Sequence, residues 1–316
     1  MTKLIFLDRA TLPVALRAPD FPHELQEFDG TAIDEVVAHL AGAEVAICNK
    51  TPLRAEQLRQ LPQLKLIAVT ATGVNNVDLE HCRAHGIAVT NVSGYSTHSV
   101  AEHVFAGLLA LRRNLLPYRR EVEAGGWQRS PQFCLFSHPL IDLHGSTLGM
   151  IGHGAIGQAV AQLAQAFGMR VLVAERKGAP QVRAGRLAFD EVLAQADVLS
   201  LHCPLTEDTR HLIGSAELQR MKPTAILVNA ARGGIVDEQA LADSLRQGRI
   251  AGAVVDVLSE EPPRNGNPLL ALAAHPGLML TPHVAWASQQ AMAQLAEEVV
   301  RNIEAYQRGE SRNRIA

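Results

Sequence analysis

The sequence predicts an α/β protein built from two doubly wound parallel-sheet domains. Three observations carry that reading. Short apolar runs alternate with helical patterns over the first hundred residues; the middle of the chain holds a strand, a glycine cluster, a helix and a second strand in succession; and four later apolar runs each end in an unusual polar residue. At 316 residues the chain is long enough for two cores.

In the first part, Leu4 to Leu7 reads as a strand, 32–40 as a helix, Val45 to Cys48 as a strand and 52–61 as a helix with Pro52 near its start. Segments 64–70, 77–85 and 87–91 continue the alternation, which argues for a small parallel sheet covered by helices. From Ser99 to about Arg120 the pattern predicts one long helix, apolar around most of its first half and therefore covered on several sides. The following stretch, 125–144, holds Trp127, Phe133, Leu135 and Phe136 without periodicity. It reads as an arm embracing a second copy of the chain in preference to a segment packed on its own domain.

The stretch from Thr147 to Glu175 organises the chain. A buried-strand run, Leu148 to Ile151, leads straight into Gly152-x-Gly154-x-x-Gly157, then a helical pattern, then a second run from Val171 to Ala174 that closes on Glu175. A lone GxGxxG is weak evidence, but strand, glycines, helix, strand and acid in this order make a Rossmann-type dinucleotide site. Gly152 makes the tight turn, Gly154 leaves no side chain between backbone and pyrophosphate, and Gly157 lets the helix lie close on the strand. The helix opening at Ala155 and Ile156 offers unpaired N–H groups to phosphates. Glu175, 18 positions beyond the last glycine, can accept from the ribose hydroxyls.

Beyond Glu175 each strand run ends in polar residues: His202-Cys203-Pro204 after 197–201, Asn229-Ala230-Ala231-Arg232 after 225–228, Asp256 after 251–255, and Pro282-His283 after 278–281. Ligands of open parallel sheets bind outside the carboxyl ends of the strands, so these residues are expected to converge beside the glycine turn. A hydride-transfer enzyme needs a proton donor there that titrates near neutral pH, and no metal. His283, at a strand end beside a proline, is the candidate. Arg232, followed by two glycines, suits a substrate carboxylate or carbonyl, against the blander reading of a surface salt bridge. Glu261 taken alone reads as part of a solvated acidic loop.

Bulk properties exclude several classes. The net charge of −3 gives no footprint for nucleic acid or an anionic membrane. The first apolar run is too short for a signal peptide or a membrane span, so a cytoplasmic protein is expected. Cys48, Cys82, Cys134 and Cys203 are scattered, with no CxxC, and read as free thiols.

With these motifs in view, the chain resembles the D-isomer-specific 2-hydroxyacid dehydrogenase family, most of all its glycerate dehydrogenase (hydroxypyruvate reductase) branch. The likeness runs through TATGVNNVD (70–78), GYSTHSVAEH (94–103), GHGAIG, HCPLT, VNAARGGIVDE (228–238), DVLSEEPP (256–263) and TPHVAWAS (281–288). It implies a cofactor domain (98–285, with a dimerisation helix and arm) inserted in a flavodoxin-like substrate domain (1–97 plus 286–316). It implies Arg232, Glu261 and His283 as the catalytic set, with Glu261 as the partner of the acid/base His283. The substrate would be held by Ala71, Thr72 and Gly73 with Arg232, His283 and Trp286. Trp286 reads equally as a packing residue. NAD(H), preferred over a possible NADP(H), would meet Thr97, Gly152, Gly154, Ala155, Ile156, Gly157, Glu175, Arg176, His202, Cys203, Pro204, Thr209, Ala230 and Asp256. Arg176 and Lys177, next to Glu175, would temper the preference for NAD(H). The expected reaction interconverts a small 2-oxo acid, hydroxypyruvate first and glyoxylate second, with its D-2-hydroxy acid in a homodimer. Other activities of the family, on phosphoglycerate or formate, and a dinucleotide-sensing corepressor are the alternatives.

Overall fold

The structure is a computed structural model that describes every residue from Met1 to Ala316. It divides into two compact units, Met1–Ser96 with Ala287–Ala316, and Thr97–Trp286.

In the first unit, β1 (Thr2–Phe6), β2 (His23–Glu27), β3 (Val45–Cys48), β4 (Leu66–Val69) and β5 (Ala88–Thr90) form an all-parallel sheet in the order β2-β1-β3-β4-β5. This is the flavodoxin-like order. β3 and β4 are buried at every position, as a sheet covered on both faces demands. β2 has no counterpart among the expected strands: HELQE lacks apolar alternation, because an edge strand pairing through its main chain buries almost nothing. The helices expected over 32–40 and 52–61 shorten to α1 (Val36–His39) and α2 (Ala55–Leu58), neither of which has a side-chain cap. In α3 (Leu79–His85), Asp78 caps the His81 N–H and Gly86 closes the end with φ 71°, and the helix runs to its expected end.

The second unit opens with α4 (Thr97–Arg112) and α5 (Leu115–Glu123). The single helix expected from Ser99 to Arg120 breaks at Asn114, whose φ is 48°. The cause is Pro117, which lacks an N–H and is tolerated only in a first helical turn, where α5 places it. Six strands follow: β6 (Thr147–Ile151), β7 (Arg170–Val173), β8 (Val198–Leu201), β9 (Ile226–Asn229), β10 (Gly252–Val255) and β11 (Leu278–Leu280). They form a second all-parallel sheet, β11-β10-β9-β8-β6-β7. Helices α6 (Ala155–Ala166), α7 (Phe189–Gln195), α8 (Ser215–Arg220) and α9 (Glu238–Arg246) connect them. One buried cluster, with Val192, Leu193, Ile213 and Leu241, fills one face of the sheet; another, with Val104, Leu108, Val160 and Ala164, fills the opposite face. β6 pairs with both β7 and β8, so the winding direction reverses between β6 and β8.

α10 (Gln289–Gln307), capped by the Ser288 hydroxyl on the Ala291 N–H, returns the chain to the first unit and packs on β4. The Asn302 amide donates to the Asn91 carbonyl at 3.0 Å and anchors the helix there. No helix is long and apolar enough to cross a membrane.

Candidate active site

The glycine turn sits at the switch point of the second sheet. Gly152 has φ 92°, and a Cβ there would overlap the His202 carbonyl and lie 2.8 Å from the Cys203 nitrogen. The turn after β6 therefore crosses directly against the loop after β8. A Cβ on Gly157 would lie 2.8 Å from the Gly152 oxygen, so helix and turn are in backbone contact. Gly154 is different: a Cβ there would meet nothing within 4 Å. It starts α6 without a side-chain cap. Open space above uncapped N–H groups of Ala155 and Ile156 fits a pyrophosphate.

Glu175 follows β7 and is buried. Its Oε2 accepts from Arg183 Nε at 2.6 Å and its Oε1 from Arg183 Nη2 at 2.6 Å and from the Arg176 N–H at 2.8 Å. The Arg183 fork, then the Arg176 N–H, holds this carboxyl far below the usual carboxylate range. Arg183 is absent from the sequence-derived site, since nothing in Val182-Arg183-Ala184-Gly185 marks it. Lys177, expected to act beside Glu175, instead donates to Glu217 at 2.9 Å. Arg176 touches Glu175 through its backbone, with its side chain exposed.

At the end of β8 the His202 ring lies 2.8 Å from the Ser200 hydroxyl, and burial pushes its pKa down to about 4. Burial also raises the Cys203 thiol. The Thr209 hydroxyl donates to the Pro204 carbonyl at 2.7 Å and accepts the Thr206 N–H at 2.7 Å, locking its own loop. At the end of β9, Asn229 closes the turn through Ala230 and Ala231, accepting from the Ala231 N–H at 3.1 Å and donating to the Arg232 carbonyl at 3.0 Å. Arg232 is exposed and donates from Nη1 to the Ala231 carbonyl at 2.7 Å. A Cβ on Gly233 would overlap the Leu258 carbonyl, so the turn of Arg232 lies against the loop that carries Glu261.

Glu261 and His283 meet. Glu261 Oε2 is 2.6 Å from His283 Nδ1, while Oε1 accepts the Leu258 N–H at 2.8 Å. His283 adopts φ 54°, a left-handed conformation that the surroundings must enforce. Asp256 supplies that enforcement. Its carbonyl takes the His283 N–H at 2.8 Å, and its buried carboxylate collects the Thr281 hydroxyl at 2.6 Å and the N–H groups of Val284 at 3.0 Å and Ala285 at 2.9 Å. His103 Nε2 lies 3.0 Å from the Thr281 hydroxyl and completes the network. Trp286, half-buried, ends this unit and Thr97 opens it.

Ala71, Thr72 and Gly73 belong to the first unit, just beyond β4. The Thr72 hydroxyl donates to the Val92 carbonyl at 2.8 Å, and the Ala71 carbonyl accepts the Val92 N–H at 3.0 Å.

A glycine turn at a switch point, an acid after the next strand and an imidazole–carboxylate pair at the ends of later strands are the parts of a nicotinamide-dependent dehydrogenase. Residues 105–285 match the family model of the D-isomer specific 2-hydroxyacid dehydrogenase NAD binding domain. The chain is 48% identical to a glycerate dehydrogenase of Methylorubrum extorquens over 98% of both chains. It is 35% identical to a hydroxypyruvate reductase of Blautia hydrogenotrophica, covering 88% of this chain and 87% of that one. The D-lactate dehydrogenase of Aquifex aeolicus, solved with NAD and lactic acid, superposes with a TM-score of 0.79 at 29% identity, covering 97% of this chain and 96% of that one. The chain belongs to the D-isomer-specific 2-hydroxyacid dehydrogenase family. It is an NAD-dependent oxidoreductase that interconverts 2-oxo acids and 2-hydroxy acids.

Proposed function

We propose that this protein reduces small polar 2-oxo acids to D-2-hydroxy acids, hydroxypyruvate to D-glycerate first and glyoxylate to glycolate second, with NADH preferred to NADPH. The 2.6 Å contact between His283 and Glu261 carries the chemical part of the reading. A nicotinamide cofactor held at the glycine turn would supply the hydride. The chain's own residues handle charge and protons. With Nδ1 engaged by Glu261, His283 presents Nε2 to the reacting oxygen, giving a proton in reduction and taking one in oxidation. Glu261 orients the ring through that contact. The exposed Arg232 fork pairs with the substrate carboxylate and polarises the carbonyl. The Ala71–Gly73 turn and Trp286 complete the substrate set that the family resemblance implies.

Residues 98–285 serve as the cofactor domain, and 1–97 with 286–316 as the substrate domain. A homodimer is supported by the arm, where Phe133 is 90% and Phe136 77% exposed, apolar surface that a second copy would cover. All four cysteines are free, in keeping with a reducing, cytoplasmic setting.

The test is a screen of hydroxypyruvate, glyoxylate, pyruvate, phosphohydroxypyruvate and branched oxo acids with both cofactors, followed by loss of cofactor absorbance. Hydroxypyruvate should give the highest kcat/KM. A higher value for branched or aromatic oxo acids would overturn the substrate assignment.

A further inference from the structure

The acid that follows the glycine turn is already fully engaged. Glu175 takes four N–H donors, two from the Arg183 guanidinium, one from the Arg176 backbone and one, at 3.3 Å, from the Arg183 backbone. A carboxylate offers about four acceptor positions, so a ribose hydroxyl finds none left. The guanidinium is in the opposite state. Of its five N–H groups, two are spent on Glu175, which leaves three for a further acceptor. Its side chain is 58% exposed, against 4% for Glu175. Lys177 is tied to Glu217 and lies over the Phe189 ring, and so does not share this role.

Building on the assignment of the glycine turn and Glu175 to the dinucleotide, we propose that Arg183 sets the choice between NAD(H) and NADP(H). Seated on Glu175, it cancels the charge that would repel a 2′-phosphate and offers that phosphate N–H donors. NAD(H) gains its ribose acceptor only when the fork releases Glu175. The preference for NAD(H) is therefore held to a moderate size by a residue eight positions beyond the acid, not by the cations beside it.

The test compares wild type, Arg183→Ala and Arg183→Lys. For each, the dissociation constants of NADH and NADPH are read from cofactor fluorescence, kcat/KM is measured with hydroxypyruvate, and the Tm is recorded. In Arg183→Ala, NADPH should bind at least about tenfold more weakly while NADH binds as in wild type or more tightly. Arg183→Lys keeps the charge without the fork and should fall between. Parallel weakening of both cofactors, or a ratio within about threefold of wild type, would make Arg183 a loop tie only and overturn the proposal. Should Arg183→Ala fail to fold, Glu175→Gln decides. It frees the fork and should move the ratio towards NADPH, and an unmoved ratio overturns the proposal. If wild type binds both cofactors yet reduces no oxo acid, the substrate reading fails while the binding ratios still judge Arg183. Binding of neither cofactor overturns the dinucleotide reading and the proposal with it.

Discussion

The Leu258 carbonyl stands where a Cβ on Gly233 would have to be. The turn bearing Arg232 and the loop bearing Glu261 are thus in backbone contact, and the spacing between their side chains depends on a missing methyl group. Gly233→Ala must push residues 258–261 away and loosen Glu261 from His283. Oxo-acid reduction should fall by about tenfold to a hundredfold, with NADH affinity nearly unchanged. Wild-type turnover in that variant would mean that the contact does not position Glu261.

Reduction consumes a proton from His283 and oxidation needs the ring empty. The overall reaction takes up a proton in reduction and releases one in oxidation, so the reductive optimum should lie below the oxidative one. Glu261→Gln keeps the shape of the side chain but removes its charge from the His283 ring, and its reductive kcat should fall by about tenfold or more with NADH affinity nearly unchanged. Coincident optima in the two directions would count against His283 as the acid/base.

His202 makes a prediction about stability. Burial pushes it down to about 4, whereas a histidine in the unfolded chain titrates near 6.5. Between those values the unfolded chain binds a proton that the folded chain refuses. The group therefore costs nothing above about pH 6.5 and erodes stability as pH falls towards 4, by about 1.4 kcal/mol per unit. Urea denaturation of wild type and His202→Gln at pH 7 and pH 5 should show the smaller loss in the variant. Equal losses would show that His202 is protonated in the folded protein without penalty.

The arm gives a fourth. Replacing Phe133 and Phe136 together by Ser removes two of its most exposed apolar side chains. Light scattering after gel filtration should show a dimer in wild type and a shift towards monomer in the variant. A variant that remains dimeric at low concentration would place the interface elsewhere.

What the sequence made legible follows from burial. β3, β8 and β9 are short apolar runs because their sheets are covered on both faces, and the residues that end them mark the carboxyl edge of the sheet. β2 escapes because an edge strand needs only main-chain partners. The break at Asn114 falls in Arg112-Arg113-Asn114, polar residues that the surface of a continuous helix also carries, and only Pro117 held the signal. Nothing local to Arg232-Gly233-Gly234 names what Gly233 lies against, and its neighbour is the Leu258 carbonyl. Arg183 escapes for a different reason. Its pairing with Glu175 depends on how residues 176–182 fold back, and no local pattern encodes that return.

The central claim is that His283, held by Glu261, moves the proton in an oxo-acid reduction. The most direct measurement is the single-turnover rate of hydroxypyruvate reduction by His283→Ala with NADH, beside the NADH dissociation constant of the same variant. The account predicts a rate lower by about two to four orders of magnitude with NADH binding within about threefold of wild type. A rate within about threefold of wild type would contradict it.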